Sequence, residues 1–191
     1  MVPAGYMAKR VVNRPDWLSS TGVSSIYSLS GCISEDFTDY IHCWKHNGYW
    51  LFDSPADIID VAREKKVGLA DTVLFFYEVH ELEFNEGKWT RFEPERSFHT
   101  DVKVPENSVL EGYDVVTFFV GASPECSPLS CNGLANEVET NSRCLLESLE
   151  KAQRLLENGT FKKSEPGPYR IFAVYSIVGW SRPGAVAREA E

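Results

Sequence analysis

The chain has 191 residues, of which 43% are hydrophobic and 25% are charged, and its formal net charge at pH 7 is −9. This is the size of one ordinary globular domain, which can bury a core without the help of a metal ion or disulfides. Lysines and arginines are scattered rather than clustered, which argues against nucleic acid as the main partner. The longest strongly apolar run, residues 115–120, is too short to cross a membrane.

The first third of the chain is predicted to contain three strands followed by a helix. Alternation of side chains and the nearby turn residues predict strands over 7–12, 23–30 and 49–52. Ser54 and Pro55 then begin a helix, because serine can cap the first turn and proline suits the first helical position. The helix covers about 55–66, and Gly68 follows its end.

The middle of the chain is predicted to be β-structure throughout. Residues 73–77 are apolar at every position, which predicts a strand inside the sheet with side chains packed on both of its faces. The turn residues at 85–88 predict a hairpin. The strands predicted in this part cover residues 73–84, 89–92, 98–104 and 113–120.

The last third is predicted to hold a long helix and a final strand. Residues spaced by three or four form one stripe, which predicts a helix over about 132–157. The stripe consists of Leu134, Val138, Asn141, Leu145, Leu149, Ala152 and Leu156. Because Asn141 is polar, residues 132–141 could instead be loop. A strand over 168–178 follows.

Strands that cluster together, rather than alternate with helices, predict an α+β fold. We expect a single domain over 1–178, with a mostly antiparallel sheet of about six or seven strands and the two main helices packed on it. Residues 179–191 are expected to form a flexible C-terminal tail. The strands at 113–120 and 168–178 are expected to run parallel or to flank a neighbouring strand.

The sequence lacks the common catalytic and nucleotide-binding motifs, so no cofactor is predicted. His42, Cys43 and His46 have no further ligands nearby, so no metal site is predicted. The chain has five cysteines, an odd number, and no apolar signal stretch at its N-terminus. We therefore expect reduced thiols and a cytoplasmic location.

Two cysteines are candidates for chemistry. Cys126 and Cys131 lie in the loop 121–132, where a predicted strand leads into the long helix. A helix N-terminus stabilises an anion and would lower the pKa of a thiol at Cys131. Glu78 and His80 share one face of their strand and could supply a general base. Alternatively, the cysteines are small buried residues and the two polar side chains mark the solvent end of a strand.

Aromatic residues are the candidates for binding. Trp44, Tyr49, Trp50 and Trp89 could form a protein-binding surface rimmed by acidic residues, or could pack under a long loop. The acidic charge favours an intracellular binding protein, such as an inhibitor or immunity-type protein that engages a basic protein partner. The alternative is a small enzyme with a cysteine nucleophile in the loop 121–132. The oligomeric state is not predicted.

Overall fold

The computed structural model describes residues 1–33, 47–95, 99–118 and 126–180. Within these ranges there are eight strands and two α-helices. The strands are β1 (Val2–Arg10), β2 (Val12–Asn13), β3 (Ser25–Ile26), β4 (Thr72–Val79), β5 (Leu82–Asn85), β6 (Lys88–Arg91), β7 (Ser108–Thr117) and β8 (Tyr169–Ile177). The helices are α1 (Pro55–Lys65) and α2 (Leu149–Glu157), and two short 3₁₀ turns cover Leu134–Asn136 and Phe161–Lys163.

Six of the strands form one sheet in which every pairing is antiparallel. Its order is β1-β4-β8-β5-β6, and β7 pairs with β8. A separate small sheet joins β2 to β3. The predicted α+β class with a mostly antiparallel sheet is confirmed. The expected arrangement of the last two large strands is wrong, because β7 and β8 are hydrogen-bonded neighbours that run antiparallel, from Ser108 opposite Ile177 to Thr117 opposite Tyr169.

The strand predicted to lie inside the sheet does so. β4 lies between β1 and β8. Its four consecutive residues Leu74, Phe75, Phe76 and Tyr77 are all buried, so both of its faces are covered. The two helices contribute to two different apolar cores: α1 packs against β1, and α2 packs against β7 and β8. No helix in the described ranges is both long and apolar enough to span a membrane.

The outer strand β1 is irregular at Gly5. The pairing register shifts there, and Gly5 has a φ of +136°, a conformation that favours glycine. A Cβ at this position would lie 2.6 Å from the carbonyl oxygen of Phe52. The next residue, Tyr6, exchanges two backbone hydrogen bonds with Phe52, at 2.7 and 3.0 Å. A loop segment thus covers part of this edge of the sheet.

The outer strand β7 repeats the same arrangement. Its register shifts at Gly112, which has a φ of +145°. A Cβ there would lie 2.8 Å from both the Cβ of Leu145 and the carbonyl oxygen of Leu146. The following residue, Tyr113, exchanges two backbone hydrogen bonds of 2.9 Å with Leu146. Both of these edge strands therefore use a glycine-tyrosine pair to bring in a covering loop.

The predicted helix over 132–157 is wrong for most of its length. Only α2 is α-helical, and it begins at Leu149 with the side chain of Ser148 capping the backbone N–H of Lys151. Residues 132–141 contain one 3₁₀ turn, and the alternative of a loop there is the correct one. The apolar residues Leu134, Val138 and Leu145 are nevertheless buried.

Asn141 explains why the helix does not extend through 142–148. Its Oδ1 accepts hydrogen bonds from the backbone N–H groups of Arg143 and Leu145, at 2.9 and 3.1 Å. Its Nδ2 donates to the carbonyl oxygen of Glu111, 2.6 Å away on β7. A side chain that bonds its own backbone in this way competes with helix formation. The chain then pairs with β7 at Leu146.

Three predicted strands are shorter or absent. The strand expected over 23–30 is reduced to the two residues of β3, and the one expected over 49–52 to a single bridge at Phe52. Residues 99–104, the described part of the strand expected at 98–104, contain none. The carbonyl groups of 28–30 bind a buried lysine instead of a neighbouring strand. The expected tail lies almost wholly outside the described residues.

Candidate functional site

Three cysteine side chains meet at one place in the fold. The sulfur atoms of Cys32, Cys126 and Cys131 all lie within 4.8 Å of one another. Cys32 is exposed and the other two are partly buried, and all three are reduced thiols. We call these residues the thiol cluster, the segment 28–32 the first loop and the segment 126–132 the second loop.

The first loop is held by a buried ammonium group. Lys9 on β1 is only 1% exposed. Its Nζ donates hydrogen bonds to the backbone carbonyl oxygens of Ser28, Leu29 and Ser30, at 2.7, 2.8 and 2.8 Å. Three consecutive carbonyls thus converge on one cation, and this contact fixes the backbone just before Cys32.

A buried carboxylate joins the first loop to the second. Asp114 on β7 is 0% exposed. One oxygen accepts from the backbone N–H of Leu29 at 2.9 Å, and the other accepts from the hydroxyl of Ser127. Burial raises the pKa of Asp114, while the two hydrogen bonds and the charge of Lys9 oppose that rise. The carboxylate therefore ties together the backbones that carry Cys32 and Cys126.

The second loop is a tight turn fixed to the end of β7. The carbonyl oxygen of Ser127 accepts from the backbone N–H groups of Ser130 and Cys131, at 3.0 and 2.8 Å. The N–H of Thr117 donates to the carbonyl oxygen of Cys126 at 2.9 Å. This turn presents both of its cysteines toward the first loop.

Hydrogen bonds among the three thiols shift the pKa of each of them. Hydrogen bonds from Cys126 and Cys131, helped by Ser30 and the charge of Lys9, lower the pKa of Cys32 against the opposing effect of burial. The pKa of Cys126 is raised by its hydrogen bonds with Cys131 and Cys32 and by burial. For Cys131, the hydrogen bond with Cys126 lowers the pKa, but the one with Cys32 and burial outweigh it and raise the pKa overall. Within the cluster, hydrogen bonding thus favours the thiolate form at Cys32.

The structure differs here from the sequence prediction. No α-helix begins directly after Cys131, because the next helical residues are the 3₁₀ turn Leu134–Asn136 and α2 begins only at Leu149. The proposed stabilisation of a thiolate by a helix N-terminus is therefore wrong. The sequence did not single out Cys32, which lies far from Cys126 along the chain and carries no motif. Residues 119–125, which include part of the loop 121–132, lie outside the described residues, as do His42, Cys43 and His46.

The predicted general base has partners elsewhere. Glu78 accepts a hydrogen bond from the hydroxyl of Tyr175 at 2.7 Å. His80 lies edge-on to Trp89 with ring centroids 5.5 Å apart, and its Nε2 is 3.4 Å from Nε2 of Gln153 on α2. These contacts direct both side chains toward β8, β6 and α2, while the thiol cluster is held by the first and second loops. A catalytic role for Glu78 and His80 stays a prediction.

The three described members of the predicted aromatic surface, Tyr49, Trp50 and Trp89, are buried or half-buried. Tyr49 is 5% exposed and packs against Phe92, with ring centroids 6.0 Å apart. Trp89 packs against Phe84 and donates from Nε1 to Glu157 at 2.8 Å. Trp50 is half-buried. These contacts favour the alternative of packing, and binding through these residues stays a prediction. Trp44, the fourth residue predicted for this surface, lies outside the described residues.

Comparison with known proteins gives no matching family model, no similar curated protein and no similar solved structure. The geometry of the thiol cluster is therefore the basis for the functional proposal.

Proposed function

We propose that the protein is a thiol-based redox protein, in which Cys32 reacts with a peroxide and a second thiol of the cluster then forms a disulfide with it. One observation carries the proposal: an exposed thiol has two further thiols within 4.8 Å. This proposal retains the cysteine nucleophile predicted from the sequence. It assigns that role to Cys32 instead of Cys126 or Cys131, because an exposed sulfur is accessible to a dissolved oxidant.

The reaction has two steps. The sulfur of Cys32 attacks one oxygen of hydrogen peroxide, so that an S–O bond forms and the O–O bond breaks. The leaving hydroxide takes the proton of the Cys32 thiol and departs as water. The sulfur of Cys126 or Cys131 then attacks the sulfenic acid at Cys32. An S–S bond forms, the S–O bond breaks, and a second water leaves with the thiol proton. Two thiols lose two electrons, and hydrogen peroxide is reduced to two waters.

The surrounding structure supports this chemistry by holding the sulfurs close before the reaction. Lys9 fixes the first loop, and Asp114 joins the two loops. A thiol that is held next to the sulfur it attacks reacts as if it were present at a very high concentration. The disulfide is reopened by a small-molecule thiol, so we also propose that the protein functions in a reducing compartment, in agreement with the predicted cytoplasmic location.

Peroxide treatment followed by alkylation tests the proposal. After exposure of the reduced protein to hydrogen peroxide, iodoacetamide labelling and peptide mass spectrometry should find Cys32 linked to Cys126 or Cys131. The variant Cys32→Ser should form no such link. Cys144→Ala removes a buried cysteine outside the cluster and should behave as the wild type does. The proposal fails if all five thiols remain open to alkylation, or if Cys32 is oxidised without a disulfide.

A further inference from the structure

The thiol cluster has a second use that requires no electron transfer. We infer that, in the reduced protein, the sulfurs of Cys32, Cys126 and Cys131 bind one soft divalent metal ion, with Zn²⁺ as the preferred ion. The inference goes beyond the redox proposal and does not depend on it, because it concerns only where the three sulfurs lie.

The spacing of the sulfurs fits a metal ion. Zinc–thiolate bonds are about 2.3 Å long, so two sulfurs of a tetrahedral site lie about 3.8 Å apart. The sulfurs of the thiol cluster lie within 4.8 Å of one another. The difference is about 1 Å or less, which side-chain rotation can supply. The loops therefore need no rearrangement to hold the ion.

The type of ligand selects the class of metal. Among the described residues, this group of possible ligands consists of sulfur alone, without an imidazole or a carboxylate. Thiolates favour zinc and softer ions, whereas magnesium and calcium require oxygen ligands. The site is thus suited to Zn²⁺, and to Co²⁺ or Cd²⁺ as probes.

One neighbouring hydroxyl can hold a sulfur as an outer partner holds a metal ligand. The hydroxyl oxygen of Ser30 lies 3.7 Å from the sulfur of Cys131 and can donate to it once that sulfur is a thiolate. The thiol of Cys126 donates to Oδ1 of Asn132 at 3.5 Å, and this hydrogen bond is lost when the sulfur releases its proton and binds the ion.

The charge of the site is also favourable. Three thiolates and one divalent ion carry a net charge of −1. The ammonium group of Lys9 is bonded to the carbonyl oxygen of Ser30, two residues before Cys32. A positive charge near the site favours the metal-bound form, and Asp114, which binds Leu29 of the same loop, partly offsets it when ionised.

Three sulfurs leave one position of a tetrahedral ion for another ligand. Closed structural zinc sites take four protein ligands, whereas a position left to water or a small molecule is typical of reactive sites. Cys32 is exposed, so the described part of the site is accessible to solvent. An ion bound by these three residues can therefore exchange a ligand.

Cobalt titration tests the inference directly. The full chain is reduced with a phosphine, stripped of metal and titrated with Co²⁺ without oxygen. We expect one ion per chain, strong sulfur-to-cobalt charge-transfer absorption and the visible bands of a tetrahedral ion. Addition of Zn²⁺ should displace the cobalt and abolish these absorption bands. The variants Cys32→Ser, Cys126→Ser and Cys131→Ser should each lose charge-transfer intensity. Each should also weaken zinc binding by more than the roughly 10–100-fold loss that is typical when an outer partner is removed.

Cys144→Ala is the matched control and should keep the full absorption and affinity. The inference is overturned if the wild type shows no charge-transfer band, or if the band is unchanged in the three serine variants. If circular dichroism shows that a variant does not fold, the inference is tested instead by alkylation of the wild-type protein. Saturating Zn²⁺ should then slow alkylation of Cys32 at least tenfold, and an unchanged rate contradicts the inference.

The two proposals fail separately. A protein that binds Co²⁺ through sulfur but forms no disulfide with peroxide keeps the metal site and loses the redox function. A protein that forms the disulfide but shows no sulfur-to-cobalt absorption keeps the redox function and loses the metal site.

Discussion

Two charged side chains, Lys9 and Asp114, are almost completely removed from water. Burying an ion is costly unless hydrogen bonds and an opposite charge compensate for the lost solvent. Here three carbonyls bind the ammonium group, and a backbone N–H and a hydroxyl bind the carboxylate. These bonds determine where the first and second loops lie, and therefore where the thiols meet.

The variant Asp114→Asn tests this role. An amide removes the negative charge that acts on buried Lys9. Its NH₂ group would also face one of the two donors that now bind the carboxylate, the N–H of Leu29 or the hydroxyl of Ser127. We expect the free energy of unfolding to fall by about 3–5 kcal/mol, measured by urea denaturation. Asp60→Asn makes the same substitution at an exposed residue that pairs with Arg63, and it should cost less than about 1 kcal/mol. Equal losses in the two variants would contradict a special role for the buried carboxylate.

At the level of elements, the sequence predicted the parts of the fold that depend on local signals. Ser54 does cap α1, and β5 and β6 do form the hairpin around 85–88. The parts that it missed depend on distant residues. Asn141 bonds to Glu111 instead of continuing a helix, and the carbonyls of 28–30 turn toward Lys9. No alternation or spacing within a short window contains such information.

Gly112 allows a loop to cover β7, and its replacement should show how much this contact contributes. In Gly112→Ala the new Cβ meets backbone and side-chain atoms at 2.8 Å, in a conformation with a φ of +145°. We expect a loss of about 2–4 kcal/mol in the free energy of unfolding, from strain and overpacking together. Gly22→Ala is the control, because a Cβ there meets nothing within 4 Å, and it should change stability by less than about 0.5 kcal/mol. Thermal and urea denaturation would measure both.

For the whole molecule, the candidate site was predicted only in part. The sequence pointed to Cys126 and Cys131 because they are neighbours in a loop between predicted elements. It could not add Cys32, because the meeting of the two loops follows from the topology of the sheet and from the buried contacts of Lys9 and Asp114. Of the predicted partners of these thiols, Glu78 lies on β4 and His80 directly follows that strand, and both contact other elements.

The binding of a basic protein partner, predicted from the acidic charge of the chain, can be tested separately. A chain with a net charge of −9 should attract a basic protein partner at low salt and release it as salt screens the charges. A pull-down from native lysate should return a basic protein in stoichiometric amount at low salt and less of it at moderate salt. An unrelated protein of similar charge serves as the control bait. If both baits recover the same proteins, or neither recovers one in stoichiometric amount, the prediction is wrong.

The glycine-tyrosine pairs on β1 and β7 have a consequence for self-association. A bare edge strand is a template to which a strand of another molecule can be added. Detachment of the loop at Phe52 or at Leu146 would uncover such an edge while the rest of the sheet stays intact. We therefore expect aggregation under mild heating to begin at these two edges, from partly opened molecules rather than from fully unfolded ones.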